Sequence, residues 1–77
     1  MIKMEFINKE EVRLAIAEKG MTLKDFSSYI GISPVYLTQI LKGDKNPSPT
    51  VSAKIAKGLG VEINEIFQIR FHEKEGI

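Results

Sequence analysis

The sequence contains no cysteine, no tryptophan and a single histidine. The lack of cysteine excludes disulfides, thiolate zinc sites and thiol chemistry, so a hydrophobic core has to hold the fold by itself, which fits a reducing compartment. No apolar run approaches the roughly 20 residues that a membrane-spanning helix needs, and residues 1–6 lack the apolar segment of a signal peptide. We therefore expect a cytoplasmic protein without a membrane partner.

The chain is also too short for two domains. With 77 residues, of which 43% are hydrophobic, it can form one small core, because chains of this size bury only about 60% of their unfolded surface. We expect a single domain over residues 1–77, with a helical core at 8–67 and terminal extensions at 1–7 and 68–77.

The charge is close to balanced overall, at +1, but it is unevenly distributed. Residues 33–60 contain four lysines and one aspartate, whereas residues 61–77 contain four glutamates, one arginine and one lysine. A local excess of positive charge favours an anionic partner, although four lysines can equally form a solvated helix face. Charge alone favours the solvated face.

A regular series of start and stop signals predicts four helices and a short fifth. The predicted capping residues are Asn8, Thr22, Ser33 and Ser48, and the glycines that end the helices are Gly20, Gly31, Gly43 and Gly60. Tyr29 continues the apolar stripe of the second helix beside Phe26, and Phe67 closes the fifth helix. The residues predicted to form the core are Val12, Ile16, Phe26, Leu37, Ile40, Ile55, Leu59 and Ile66.

The two ends of the chain alternate apolar and polar residues with the period of a half-buried strand. Residues 2–6 show this pattern at one end and residues 67–72 show it at the other. Terminal segments are often disordered, so a pair of strands and two loose tails are equally open.

The central part of the sequence combines a short second helix, a tight turn at Gly31 and a polar third helix. This arrangement allows one helix to lie in the DNA major groove while its predecessor crosses the backbone. Residues 12–67 resemble, without a gap, the Cro/C1-type (Xre family) helix-turn-helix domain of bacterial and phage repressors. The matching stretches are residues 18–22, 31–37, 42–48 and 56–61.

The resemblance implies an all-α, lambda-repressor-like fold of four to five helices, to which the alternating ends would add short terminal strands. It also implies a sequence-specific regulator of transcription. We expect a repressor that binds an inverted-repeat DNA operator as a homodimer, because specific operators usually need two recognition helices.

The resemblance also implies which residues touch DNA. The helix that begins at Pro34 would be the recognition helix, and its base-contacting residues would be Val35, Tyr36, Thr38 and Gln39. The residues implied to contact phosphate are Thr22, Lys42, Lys45 and Asn46. Gln39 is the first choice because an amide can pair with adenine through two hydrogen bonds. A surface glutamine is nevertheless more often a solvated helix former, and Tyr36 has the alternative of lying over the turn.

Four positions depart from the family pattern. Leu23 stands where the family often has glutamine, Ser27 replaces alanine, Leu41 replaces glutamate and Ile16 replaces arginine. Leu23 is the most serious departure, because the lost amide removes a phosphate or base contact. Either the affinity for one half-site is low or another group compensates.

Two other classes of function compete with the regulator. The same fold serves as the antitoxin of toxin–antitoxin pairs, so a protein partner such as an antirepressor or a toxin is the second hypothesis. An enzyme is disfavoured because no nucleophile–base pair is present and the glycines end helices instead of forming a phosphate loop. His72 stands beside Glu73 and is expected to be solvated. We expect no catalytic residue, metal or cofactor.

The ends of the chain also predict how a homodimer would form. The helical core leaves five large apolar residues to spare, and a monomer would leave them partly in water: Ile2, Met4, Phe6, Ile69 and Phe71. An isolated strand pair is only marginally stable, so joining the same pair of a second chain would stabilise it. The competing arrangement, common in the family, is a dimer formed through the fourth and fifth helices.

Overall fold

The computed structural model of the protein describes residues 2–71. Five helices lie between two strands: β1 (Ile2–Phe6), α1 (Lys9–Glu18), α2 (Leu23–Ile30), α3 (Pro34–Lys42), α4 (Pro49–Leu59), α5 (Ile63–Ile66) and β2 (Phe67–Phe71). This is the lambda-repressor-like helical fold that the sequence predicts, with a strand at each end. Phe67, however, is the first residue of β2 and not part of α5. His72 and its acidic neighbours lie outside the described residues.

The predicted capping residues begin the first four helices. Asn8, Ser33 and Ser48 each accept backbone N–H bonds from the first turn of the helix that follows. Thr22 and Asp25 cap α2 reciprocally, each side chain accepting the other residue's N–H. Each cap satisfies N–H groups that have no partner within the helix and contributes about 1 kcal/mol.

The turn between α2 and α3 depends on Gly31. Its backbone is left-handed, with φ at +82°. The N–H groups of Gly31 and Ile32 both donate to the carbonyl of Ser27, each at 2.9 Å, which closes the end of α2. The chain then enters α3 at its Ser33 cap, and the two helices pack against each other.

Seven of the eight predicted core residues are buried, and Ile66 is half-buried against them. Four further hydrophobic side chains are buried: Leu41 and Ala56, on the inward faces of their helices, and Met4 and Phe67 in the terminal strands. The prediction for Tyr29 is wrong, because 63% of this residue is exposed. The side of α2 that faces the core is formed by Leu23, Phe26, Ser27 and Ile30, and Tyr29 lies outside it.

The close approach of α2 to α4 depends on Gly58. A Cβ atom at this position would lie 2.5 Å from Cγ2 of Ile30 and 3.0 Å from the ring of Phe26. Real side chains do not approach this closely, so only glycine lets α4 sit directly against the end of α2. The two helices that flank α3 in sequence are thereby fixed to each other.

The terminal segments form strands, which decides between the two alternatives that the sequence leaves open. β1 and β2 pair antiparallel, with Met4 opposite Ile69 and Phe6 opposite Phe67, and we call this pair the ribbon. The rings of Phe6 and Phe67 stack at 4.6 Å. The expectation that Met4 stays partly in water is wrong, because β1 lies over the core and leaves Met4 only 2% exposed.

The polar face of the ribbon carries an ion pair. Nε of Arg70 donates to Oε1 of Glu5 at 2.8 Å, and Nζ of Lys3 lies 3.4 Å from the other oxygen. The bond from Arg70 is the main reason that the pKa of Glu5 lies below its ordinary value. The pair joins the two strands, and Arg70 and Lys3 share the one carboxylate.

Replacement of Gly31 by valine should destabilise the domain by about 1–3 kcal/mol, because a β-branched residue strongly disfavours a positive φ. Beyond the neighbouring residues, no atom lies within 4 Å of the Cβ that would be added, so the Cβ itself causes no clash and the expected loss comes from the backbone conformation. Chemical denaturation followed by circular dichroism measures it. Gly31→Asn is the matched control, since asparagine tolerates this conformation and should cost less. Equal stability of the valine variant and the parent would contradict the left-handed conformation of Gly31 in this turn.

Replacement of Arg70 by alanine should raise the pKa of Glu5 toward its ordinary value of 4.5. A pKa lowered by folding means that the ion pair stabilises the ribbon above the unfolded pKa and ceases to do so as pH falls through the folded value. Titration of the Glu5 carboxyl signal by NMR measures the shift. Lys54→Ala removes an exposed lysine from α4 and should leave the pKa of Glu5 unchanged.

Candidate nucleic-acid interface

Helix α3 has one face in the core and one face toward solvent. Its inner residues Leu37, Ile40 and Leu41 are at most 2% exposed. The predicted base-contacting residues lie elsewhere on the helix: Val35 is 67% exposed, and Tyr36, Thr38 and Gln39 are partly exposed. Residues three and four apart are neighbours on a helix, so Val35, Thr38 and Gln39 lie along one side and Lys42 continues it. The core therefore holds α3 while its outer side remains open.

The backbone of Gln39 fixes the loop that follows α3, residues 43–48. Its carbonyl accepts the N–H of Asp44 at 2.9 Å and the N–H of Lys45 at 3.3 Å. Gly43 permits this closure with a left-handed φ of +89°. Gln39 thus places its side chain on the outer side of α3 and holds Lys45 in position through its main chain.

The predicted phosphate-contacting residues of this loop are exposed. Lys42, Lys45 and Asn46 lie at the end of α3 and in the first half of the loop, whereas Pro47 is buried and anchors the loop. The ion pairs within residues 2–71 involve only the side chains of the ribbon's polar face. Lys42 and Lys45 therefore make no ion pair with any acidic group in that range.

Lys9 joins this group, although no sequence pattern pointed to it. Its Nζ lies 3.0 Å from the position that a Cβ on Gly43 would occupy. Together with Lys45 and Asn46 it lines a cavity of about 220 Å³ between the loop and β1. A lysine in the first turn of a helix is disfavoured by the helix dipole, so Lys9 does not stabilise α1 electrostatically. Only the fold brings it to the loop.

The N-terminus of α2 offers less to a phosphate than the sequence suggested. The carboxylate of Asp25 accepts a hydrogen bond from the N–H of Thr22, and the hydroxyl oxygen of Thr22 accepts one from the N–H of Asp25. The pKa of Asp25 is below its ordinary value because the Thr22 N–H stabilises the carboxylate. That negative charge opposes an incoming anion. Thr22 can still donate its hydroxyl proton, and the first-turn N–H groups of Leu23 and Lys24 make no bond within the described part of the chain.

The four departures from the family pattern have structural explanations. Leu23 packs against the core, and Leu41 and Ile16 are buried in it. Ser27 is fully buried, and its hydroxyl donates to the carbonyl of Lys24 at 2.7 Å. At these three positions the apolar side chain contributes to core packing. Leu23 therefore offers no polar group to a ligand at the start of α2.

The described residues form neither a metal site nor a membrane-spanning helix. Within residues 2–71 no group of histidine and acidic side chains is arranged to hold a metal ion. None of the helices in the same range combines the length and the apolar character that crossing a membrane would require.

Comparison with known protein families agrees with the geometry. The model of the helix-turn-helix family matches residues 11–66, which is most of the chain and includes all five helices except the first two residues of α1. Comparisons with curated proteins and with solved structures gave no match. The matched family is a DNA-binding regulatory family and not a catalytic one. By its fold, its turn and this match, the chain belongs to the Cro/C1-type (Xre family) helix-turn-helix family of DNA-binding regulators.

Proposed function

We propose that this protein is a transcriptional repressor that binds an inverted-repeat operator as a homodimer, with α3 in the major groove. The observation that carries the proposal is the division of α3 into a buried face and an open face. Leu37, Ile40 and Leu41 fix the helix, so that its outer side is free to meet base edges. A helix with a buried apolar face but no exposed polar face would have only a structural role.

The outer side of α3 offers three kinds of contact to bases. The amide of Gln39 pairs with adenine through one donated and one accepted hydrogen bond. The exposed methyl groups of Val35 suit the methyl of thymine, and the Thr38 hydroxyl can donate or accept. Tyr36 adds a phenol near the start of the helix. Each good bidentate pair contributes about 1–3 kcal/mol of discrimination.

Phosphate contacts would hold α3 in register along the groove. Lys42, Lys45 and Asn46 lie at and beyond the C-terminal end of the helix, and Thr22 lies before α2 on the other side of the turn. Lys9 is added to the loop side because it lies next to Gly43. We expect the loop side to contribute most of the affinity, since Asp25 reduces the attraction at Thr22.

The homodimer follows from the size of the domain. One domain carries one recognition helix and covers one half-site, and paired recognition helices in this class lie about 34–36 Å apart. A second copy therefore supplies both the affinity and the symmetry of an inverted repeat.

The competing hypothesis is a module whose main partner is another protein, such as a toxin or an antirepressor. A salt titration on mixed-sequence DNA separates the two. DNA binding weakens steeply as salt rises because the phosphates recapture their counterions, whereas an apolar protein interface changes little. Absence of salt-dependent DNA binding would favour the protein partner.

Replacement of Gln39 by alanine should relax specificity at one base position in each half-site and cost roughly 1–3 kcal/mol per contact. Fluorescence anisotropy on the preferred site and on single-base variants measures this. Lys45→Ala is the matched control on the same surface, and it should weaken all sequences about equally. If the Gln39 variant discriminated among sites as the parent does, its assignment to base recognition would be wrong.

Replacement of Lys9 by alanine should lower the slope of log affinity against log salt by about one unit, because one phosphate contact is lost. The preferred sequence should not change. Lys54→Ala, on α4, is the control that should leave the slope as it is. A slope unchanged by the Lys9 substitution would remove Lys9 from the interface.

A further inference from the structure

The outer edge of β2 has unpaired backbone groups. The N–H of Ile7 donates to the carbonyl of Ile66, which identifies these opposed residues as a hydrogen-bonded pair. Such pairs alternate along an antiparallel ladder, so Gln68 and Arg70 bond to β1 while the N–H and C=O of Ile69 point away from it. Within residues 2–71 the sheet has only two strands, so no strand meets this edge.

The same edge carries exposed apolar side chains. Ile69 is 56% exposed and Phe71 is 67% exposed, and the register places Ile2, at 53%, opposite Phe71 on the same face. These three residues form an apolar row that continues outward from the buried Met4. β1 lies differently, because Met4, Glu5 and Phe6 face the α3–α4 loop across a cavity of about 220 Å³.

The helices offer no comparable surface for a dimer within the described residues. The large hydrophobic residues that are exposed in this part of the chain are Ile2, Ile7, Leu14, Tyr29, Val35, Ile69 and Phe71. None of them lies on α4 or α5. A dimer formed through those two helices would therefore have little apolar area to bury, whereas the ribbon has three such residues side by side.

The charge pattern of β2 fits a second copy of itself. Antiparallel pairing about a two-fold axis at Ile69 places Gln68 opposite Arg70 of the second copy, so no two like charges lie directly opposite each other and the two arginines are only diagonal neighbours. Pairing about Arg70 would instead set two arginines directly opposite each other, which is destabilising. Arg70 is already paired with Glu5 of its own chain, which reduces the repulsion between the two arginines near the axis.

From these observations we infer that β2 pairs edge to edge with β2 of a second copy, antiparallel about Ile69, and so joins two ribbons into one four-stranded sheet. The pairing satisfies the open backbone groups and extends the apolar row of each ribbon across the axis. The biological role of this dimer rests on the proposed function, because the second copy would supply the second recognition helix. Its existence is tested without DNA.

A single-cysteine experiment tests the axis, since the chain has no cysteine of its own. In the inferred register the Cα atoms of the two copies of residue 69 lie about 5.5 Å apart, within the range of a disulfide. Ile69→Cys should therefore give a covalent dimer of doubled mass under mild oxidation. Leu14→Cys is the matched control, 61% exposed on α1, and should remain monomeric in mass. Equal cross-linking of both variants, or none at residue 69, would overturn the inference.

Sedimentation of the parent, Ile69→Lys and Leu14→Lys gives a second test. Ile69→Lys should raise the dimer dissociation constant by about tenfold or more, because it sets two lysines at the axis, while Leu14→Lys should behave as the parent. Circular dichroism verifies that the helices persist. A monomeric parent, or an Ile69→Lys variant that dimerises as tightly, contradicts the interface. Correct dimerisation without DNA binding contradicts the proposed function and leaves the interface standing.

Discussion

The packing of α3 against the core is the constraint on which the rest of the structure depends. α3 has nine residues, which is too short for a helix to persist alone in water. Burial of Leu37, Ile40 and Leu41 stabilises it by about 1.5–3 kcal/mol for each side chain. Caps at both ends complete it. Because the buried face alone stabilises the helix, the residues on the exposed face are not needed for folding and can contact a ligand such as DNA.

The same packing fixes α3 relative to the loop that follows it, residues 43–48. The main-chain carbonyl of Gln39 holds Asp44 and Lys45, so the loop cannot shift relative to the helix without breaking those bonds. β1 and the start of α1 then bring Lys9 to the opposite side of the loop. The ribbon therefore supports the proposed DNA-binding surface, and it also provides the edge on which we base the dimer.

The sequence predicts the local features of this fold well, because they depend on neighbouring residues. Caps such as Thr22 and the left-handed turn at Gly31 are determined within a few positions. Features that depend on contacts between distant parts of the chain could not be predicted from the sequence. The burial of Met4 and the approach of Lys9 to Gly43 require the N-terminal part of the chain to pack against its middle. Tyr29 is exposed because the side of α2 that faces the core does not include it. For the base-contacting residues, the sequence alone supplied the positions through family resemblance, and the structure supplied their exposure.

The proposed function requires two copies of α3 to read DNA sequence together. Selection of bound fragments from a pool of random DNA tests this most directly, since the same experiment identifies the operator. We predict an inverted repeat whose half-site centres lie about 10–10.5 base pairs apart, or a multiple of that spacing. Bound fragments with the same sequence statistics as the starting pool would contradict it.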